Sequence, residues 1–278
     1  MSNKQVLIMN VQNFFGQNME NKAICITLGE QSENHVGMVK YGNGLSEKGY
    51  SVEELEKMKR KFEEKGCVCE LIFLNDLLKE GECEEKAYVL VIRNCVDVIL
   101  GKGKSKKLME DLVNLNWDNK YWDTRRSKVL NKRARFNLCF GDESKEADLE
   151  NGIGTFVGFD KVELLGKVKK DMEEICGEKR LECEGNFYYD AKKCGIGFHG
   201  DGERKKVVGI SLCSSDVIRE INWIWYKNSE RVSERQRVKL YNGDCYVMSE
   251  KSSGFDWKKK SILTLRHAAG VEGNKYLN

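Results

Sequence analysis

The sequence predicts an α+β protein in two parts: an N-terminal α/β module over residues 1–115 and a β-rich half over 116–278. Two patterns carry this. In the first part, apolar runs of strand length alternate with amphipathic helical periods. After residue 180, short alternating runs punctuated by Gly, Asn and Asp follow one another with no helical period between them. A chain of 278 residues, 40% hydrophobic and 33% charged, has the core-forming capacity for one large domain or two modest ones.

The opening stretch, MSNKQVLIMNVQNFFGQ, has one basic residue and a short apolar run, without the apolar region and cleavage site of a secretory signal. No segment approaches the ~20 apolar residues of a membrane span. A cytoplasmic or nuclear location without a membrane partner is expected. AICITLG (23–29) reads as a buried strand. In YSVEELEKMKRKFEEKG (50–66), Ser51 caps a helix, Glu54 completes a capping box and Gly66 follows its end. Val52, Leu55, Met58 and Phe62 fall on one face of it. CVCELIFL (67–74) and AYVLVIRN (87–94) are further strands, and KSKKLMEDLVNL (104–115) is another helix. GKGKS (101–105) has the look of a phosphate loop, but Val98 stands where that loop needs its first glycine, so a basic loop is expected.

From Asn116 the texture changes. NWDNKYWDTRRSKVLNKRARFN (116–137) interleaves basic residues with Trp117, Tyr121, Trp122 and Phe136. Charge for phosphates and rings for bases suit a nucleic-acid strand. Tyr121, Trp122, Arg125, Arg126, Arg133 and Arg135 are the candidate substrate-binding residues. A solvated linker and strand edge would read the same way. The net charge of +3 does not by itself call for a polyanionic partner. A helix over ELLGKVKKDMEEICGEK (163–179) precedes LECEGNFYYD, IGFHGD, KVVGISL, INWIWYK, RVKLYNGDCYVMS and SILTLRH, whose number and spacing predict a sandwich or jelly roll. Trp223 and Trp225 are expected in its core. The 11 cysteines are odd in number and contain no CxxC pair, which predicts reduced, structural thiols.

The chemistry centres on GIGFHGDGER (195–204). The chain has only 3 histidines. His199 and Asp201 are alternate residues, which a strand points to one side. His267 lies on a later β run, and His35 has no partner cluster. Two imidazoles and one carboxylate are the donor set of the non-haem Fe(II) facial triad.

These residues belong to a wider pattern. NFYYDAKKCGIGFHGDGER (186–204) resembles the N-x-Y, variable loop, I-G-x-H-x-D-x-E segment of the AlkB-like branch of the 2-oxoglutarate/Fe(II)-dependent dioxygenases. LYNGDCYVMSE (240–250) resembles the L-x-x-G-D strand that precedes that branch's distal histidine. The resemblance covers about the last third of the chain. It implies a double-stranded β-helix (jelly roll) over 116–278, and His199, Asp201 and His267 as iron ligands. It also implies Asn186 and Tyr188 against 2-oxoglutarate, Glu203 at the substrate pocket, and oxidative demethylation of methylated nucleobases in DNA or RNA with Fe(II), 2-oxoglutarate and O₂.

The chain departs from the branch in two places. Ten residues separate Trp257 from His267, and HAAG follows where an arginine-rich strand is usual. A buried dicarboxylate still needs a cation. Lys275, in a G-N-K setting similar to that of the prolyl-hydroxylase branch, is one candidate. Arg266 is the other, although its place beside His267 points it to the opposite face. A protein or peptide side-chain hydroxylase, and a non-catalytic binding protein on the same fold, are the alternatives.

Overall fold

The computed structural model describes residues 19–278, so the stretch read for a targeting signal lies outside the described residues. The fold is mixed α+β and rich in sheet. Its first strand, β1 (Ala23–Gly29), is buried at every position. Ala23 and Cys25 enter one core and Ile24, Ile26 and Leu28 another, which is why this strand is apolar throughout instead of alternating. A short hairpin of β2 (Gln31–Glu33) and β3 (Lys40–Gly42) follows. In α1 (Val52–Glu64) the capping box closes both ways: Glu54 N donates to Ser51 Oγ and Ser51 N to the Glu54 carboxylate. The helix buries Leu55, Met58 and Phe62.

β4 (Val68–Phe73) and β5 (Tyr88–Arg93) pair antiparallel. Between α2 (Cys95–Leu100) and α3 (Lys104–Val113), Gly101 and Gly103 turn the chain at positive φ. The Asp97 carboxylate accepts from the amides of Gly103 and Ser105, so those amides serve the turn and not a phosphate. A second hairpin, β6 (Lys120–Asp123) and β7 (Lys128–Asn131), leads to β8 (Phe136–Gly141), β9 (Phe156–Gly158) and α4 (Glu163–Cys176). The remainder is β10 (Glu182–Tyr188), β11 (Ile196–His199), β12 (Val207–Cys213), β13 (Arg219–Lys227), β14 (Glu230–Arg231), β15 (Gln236–Leu240), β16 (Cys245–Met248), the one-turn α5 (Glu250–Ser253) and β17 (Thr264–Val271).

Eight strands form one sheet in the order β4-β5-β16-β12-β1-β10-β8-β9. Five form a second, β11-β17-β13-β14 with β15 on the free side of β13. One face of the large sheet is covered by α1, α3 and α4 through Phe62, Leu108, Leu165 and their neighbours. Its other face meets the small sheet across a second core, where Val89, Tyr246 and Met248 pack with Ile221, Trp223 and Leu265. Trp223 and Trp225 are fully buried there, their ring nitrogens donating to the backbone oxygens of Ser252 and Leu74.

The expected division at 115/116 is not a boundary in this structure. β1 lies between β10 and β12, and β5 pairs with β16. The N-terminal strands are therefore interior members of a sheet shared with the C-terminal half, and the helices expected to cover a separate module cover that shared sheet.

Candidate metal centre

β11 and β17 are antiparallel neighbours, and their register sets His199 opposite His267. The two rings lie 4.4 Å apart between centroids. Asp201 follows β11 in a turn pinned by its amide donating to Ser253 O. The turn is tight: a Cβ on Gly200 would fall 2.0 Å from Gly254 O. Asp201 Oδ1 is 3.7 Å from both His199 Nε2 and His267 Nε2. One donor atom from each residue falls within 4.8 Å of the others, so only a modest contraction separates them from the ~3 Å edge of donors bound at about 2.1 Å.

The protonation states suit a cation. His199 Nδ1 lies 2.8 Å from Gly197 O, which can only accept, so Nδ1 donates to it and Nε2 is the ring nitrogen that faces Asp201. Burial, with His199 and Arg204 nearby, holds the His267 imidazole well below its ordinary range and therefore neutral. Burial also raises the Asp201 carboxyl. A buried carboxyl facing two imidazole nitrogens is a donor set that could hold a divalent ion.

The three side chains line a cavity of about 670 Å³ together with Asn186, Tyr188, Arg219 and Tyr246. Arg219 is 1% exposed, and none of its guanidinium nitrogens has a hydrogen-bond partner among the described residues; the same is true of the Tyr188 hydroxyl. The guanidinium sits 5.3 Å over the Tyr188 ring. Tyr246 lies across Gly209, its partner in register, where any Cβ would overlap the phenol, and its hydroxyl is 3.6 Å from Cys25 Sγ. The Asn186 amide oxygen accepts from Arg135 Nε and Asn137 Nδ2, and its nitrogen reaches Glu184 at 3.3 Å, leaving one N–H for the cavity. Glu203 lines the same cavity and pairs at 3.1 Å with Arg204, which is itself buried against Glu184.

Neither sequence candidate for the carboxylate-binding cation reaches this cavity. Lys275 is exposed in the C-terminal turn, its amine 5.1 Å from the Tyr276 ring centroid. Arg266 leaves the other face of β17, over the rings of Tyr226 and Trp257. Among the cations lining it, Arg219, which sequence reasoning missed, is the one whose guanidinium nitrogens are buried without a hydrogen-bond partner among the described residues. Its signal was phase: it shares a strand face with Ile221, Trp223 and Trp225, so it points inward with them.

The basic, aromatic segment divides. Trp117 is core, packed on Phe187 and donating to Leu112 O. Lys132 is buried, its amine bound to Asn34 O and Oδ1 at 3.2 and 2.7 Å. Arg125 is exposed on the hairpin turn and Trp122 is half-buried, and neither lines a cavity described here. Tyr121, Arg126, Arg133 and Arg135 come together around a second cavity of about 610 Å³, where Tyr121 stacks on His35 at 3.7 Å. Arg135 lines both cavities and joins them.

Lys132 has a consequence for stability. Burial, only partly offset by Asp118, lowers its pKa to about 7. The unfolded chain then binds more protons than the folded one between that value and the ordinary lysine range, so stability should rise with pH across this window. Urea midpoints at about pH 6 and about pH 9 check this: the wild type should gain on Lys132→Met as pH rises, and parallel curves would contradict it.

No model of a known protein family matches the chain. Among the described residues, no helix is long and apolar enough to cross a membrane. The chain is 44% identical over 253 residues to an uncharacterized protein of Acanthamoeba polyphaga mimivirus, a match spanning 90% of this chain and 96% of the viral protein. At that identity and coverage, the chain belongs to the family of that mimiviral protein.

Proposed function

We infer that the protein is an AlkB-like Fe(II)- and 2-oxoglutarate-dependent dioxygenase acting on methylated nucleobases. One observation carries the reading: a His-Asp-His donor set and an unpartnered, buried guanidinium line the same cavity. The donor set suits a divalent metal with positions left open, and the guanidinium suits the far carboxylate of a short dicarboxylic acid. Two facing sheets around the site are in keeping with a double-stranded β-helix.

His199, Asp201 and His267 would hold the metal. Arg219 would fix the far carboxylate, with the Tyr188 hydroxyl and the free Asn186 N–H as further donors. When bound, the iron and its cosubstrate supply an oxidation in which 2-oxoglutarate and O₂ give succinate and CO₂ while a substrate C–H bond is hydroxylated; an N-methyl group so treated is released as formaldehyde. The protein's part is to orient the reactants and exclude bulk water between its sheets.

The neighbouring cationic cavity of Arg126, Arg133 and Arg135 supports a phosphate-bearing substrate. The feature that pointed to a peptide hydroxylase, Lys275, stands outside the cavity. Incubating the protein with Fe(II), 2-oxoglutarate and N-methylated single-stranded oligonucleotides should give succinate and formaldehyde in equal amounts. Absence of 2-oxoglutarate-dependent succinate with every oligonucleotide would overturn the reading.

A further inference from the structure

The outer face of the small sheet carries a pattern that the metal centre does not use. In RQRVKL, residues 235–240, Val238 and Leu240 point inward and are buried, while Arg235, Arg237 and Lys239 fall on the opposite phase. The register sets Arg237 and Lys239 beside Asn222 and Glu220, and β17 adds Arg266 beside Ile224 on the same face. Residues 226–239 and 256–266 hold nine lysines and arginines against three acids, to which this side adds the buried Glu220 and Glu272, 3.7 Å from Lys239; the whole chain exceeds neutrality by only +3. Arg231 has Glu234 at 3.4 Å, but Arg235 and Arg237 have no carboxylate partner among the described residues.

Aromatic rings are threaded through this charge. Trp257 lines the metal cavity. The Arg266 guanidinium lies 5.4 Å from the Trp257 ring and 4.2 Å from Tyr226. Tyr226 is 6.3 Å from Phe198, and Arg235 sits 5.6 Å over the Phe198 ring. Alternating cations and rings therefore lead from the cavity wall out across the sheet. Charge alone would suit any polyanion. Rings spaced between charges suit one that carries flat bases between its phosphates.

We propose that this face is a docking track for the single strand of nucleic acid flanking the nucleotide held in the cavity. The proposal rests on the nucleobase reading of the site and adds the path of the strand beyond it. The Arg126–Arg133–Arg135 cavity takes a phosphate close to the reacting nucleotide, whereas this track takes the strand farther out.

The test is fluorescence anisotropy on the full chain without added metal, using an unmodified single strand of about 12 nucleotides. Arg235→Ser/Arg237→Ser should weaken binding at least tenfold and lower the slope of log affinity against log salt by about 1.4, for two phosphate contacts. Tyr226→Leu should weaken binding about fivefold through lost stacking. Poly-glutamate, which has charge and no bases, should compete poorly; equal competition would make this a general polyanion surface and overturn the proposal. Wild-type affinity in the Arg235/Arg237 variant, with loss in Arg126→Ser/Arg133→Ser instead, would also overturn it. The readout needs no turnover. Failure of oxidation with binding still lost in the track variants would sink the dioxygenase reading alone, and turnover with undiminished track-variant binding would sink the track alone.

Discussion

If the proposed dioxygenase reading holds, Asp201→Asn is expected to abolish both 2-oxoglutarate-dependent turnover and the thermal stabilisation that Mn(II) or Co(II) should give the wild type. Asp201 is the one carboxylate facing both imidazoles, at 3.7 Å from each. It therefore offers the only negative charge among the three candidate ligands. Losing a mere supporting partner of a ligand costs about 10–100-fold in metal affinity or activity, so losing this ligand should cost about 100-fold or more.

The metal-free variant should nevertheless fold well. Burial raises the Asp201 carboxyl, so ionising it at neutral pH opposes folding. In the sign convention of linkage, the folded state holds this proton longer than the unfolded chain, and the stability it contributes declines as pH rises through the window between the two. Asparagine removes that cost. A melting curve without metal should match or exceed the wild type's, while added metal should shift only the wild type. A variant that still gains stability from metal would place the ion elsewhere.

Much of this centre was legible because its parts are local. The clustering of His199 and Asp201 follows from their spacing, and a chain with 3 histidines leaves few choices for a third imidazole beside them. α1 was equally plain, since its caps and apolar face are all written within 17 residues. The sheet order was not, because β1 finds its partners some 150–190 residues away in β10 and β12. Continuous apolar runs say that both faces of a strand are covered and are silent about its neighbours.

The 116–137 segment misled at Trp117 and Lys132, because a ring or amine in a basic stretch reads the same whether it faces solvent or a core. Lys275 misled for a related reason: a three-residue setting carries no direction. Arg219 could have been found by asking which inward positions of INWIWYK and its upstream neighbours were not apolar. On the inward phase of that strand, Arg219 is the one charged residue that is buried; Lys227 shares the phase but is exposed at the strand's end.

Arg219→Met should raise the melting temperature of the ligand-free protein and at the same time remove 2-oxoglutarate binding. The two effects share one cause. The guanidinium is 1% exposed with every nitrogen unpartnered among the described residues, so the folded chain bears a desolvated charge with no anion to offset it. Methionine keeps much of the volume and none of the charge, and replacing buried ionic groups by apolar ones of similar size is neutral or stabilising by about 1–4 kcal/mol. At about 2–4 °C per kcal/mol for a protein approaching this size, the gain should reach several degrees.

With 2-oxoglutarate the order should reverse. Truncating one side of a buried charge pair costs about 2–5 kcal/mol, so KM for the cosubstrate should rise about 30-fold or more. At a concentration near 100 times its Kd the cosubstrate should stabilise the wild type by about 2.7 kcal/mol, and the variant should gain almost nothing. Arg219→Lys keeps a charge but loses the two-pronged geometry, and should fall between them. If Arg219 were only a structural residue, Arg219→Met would melt lower than the wild type and keep its response to 2-oxoglutarate, the opposite sign on both axes. A cation that destabilises the empty protein and is indispensable to the filled one is a binding group, and a pair of melting curves with and without the dicarboxylate separates that role from packing.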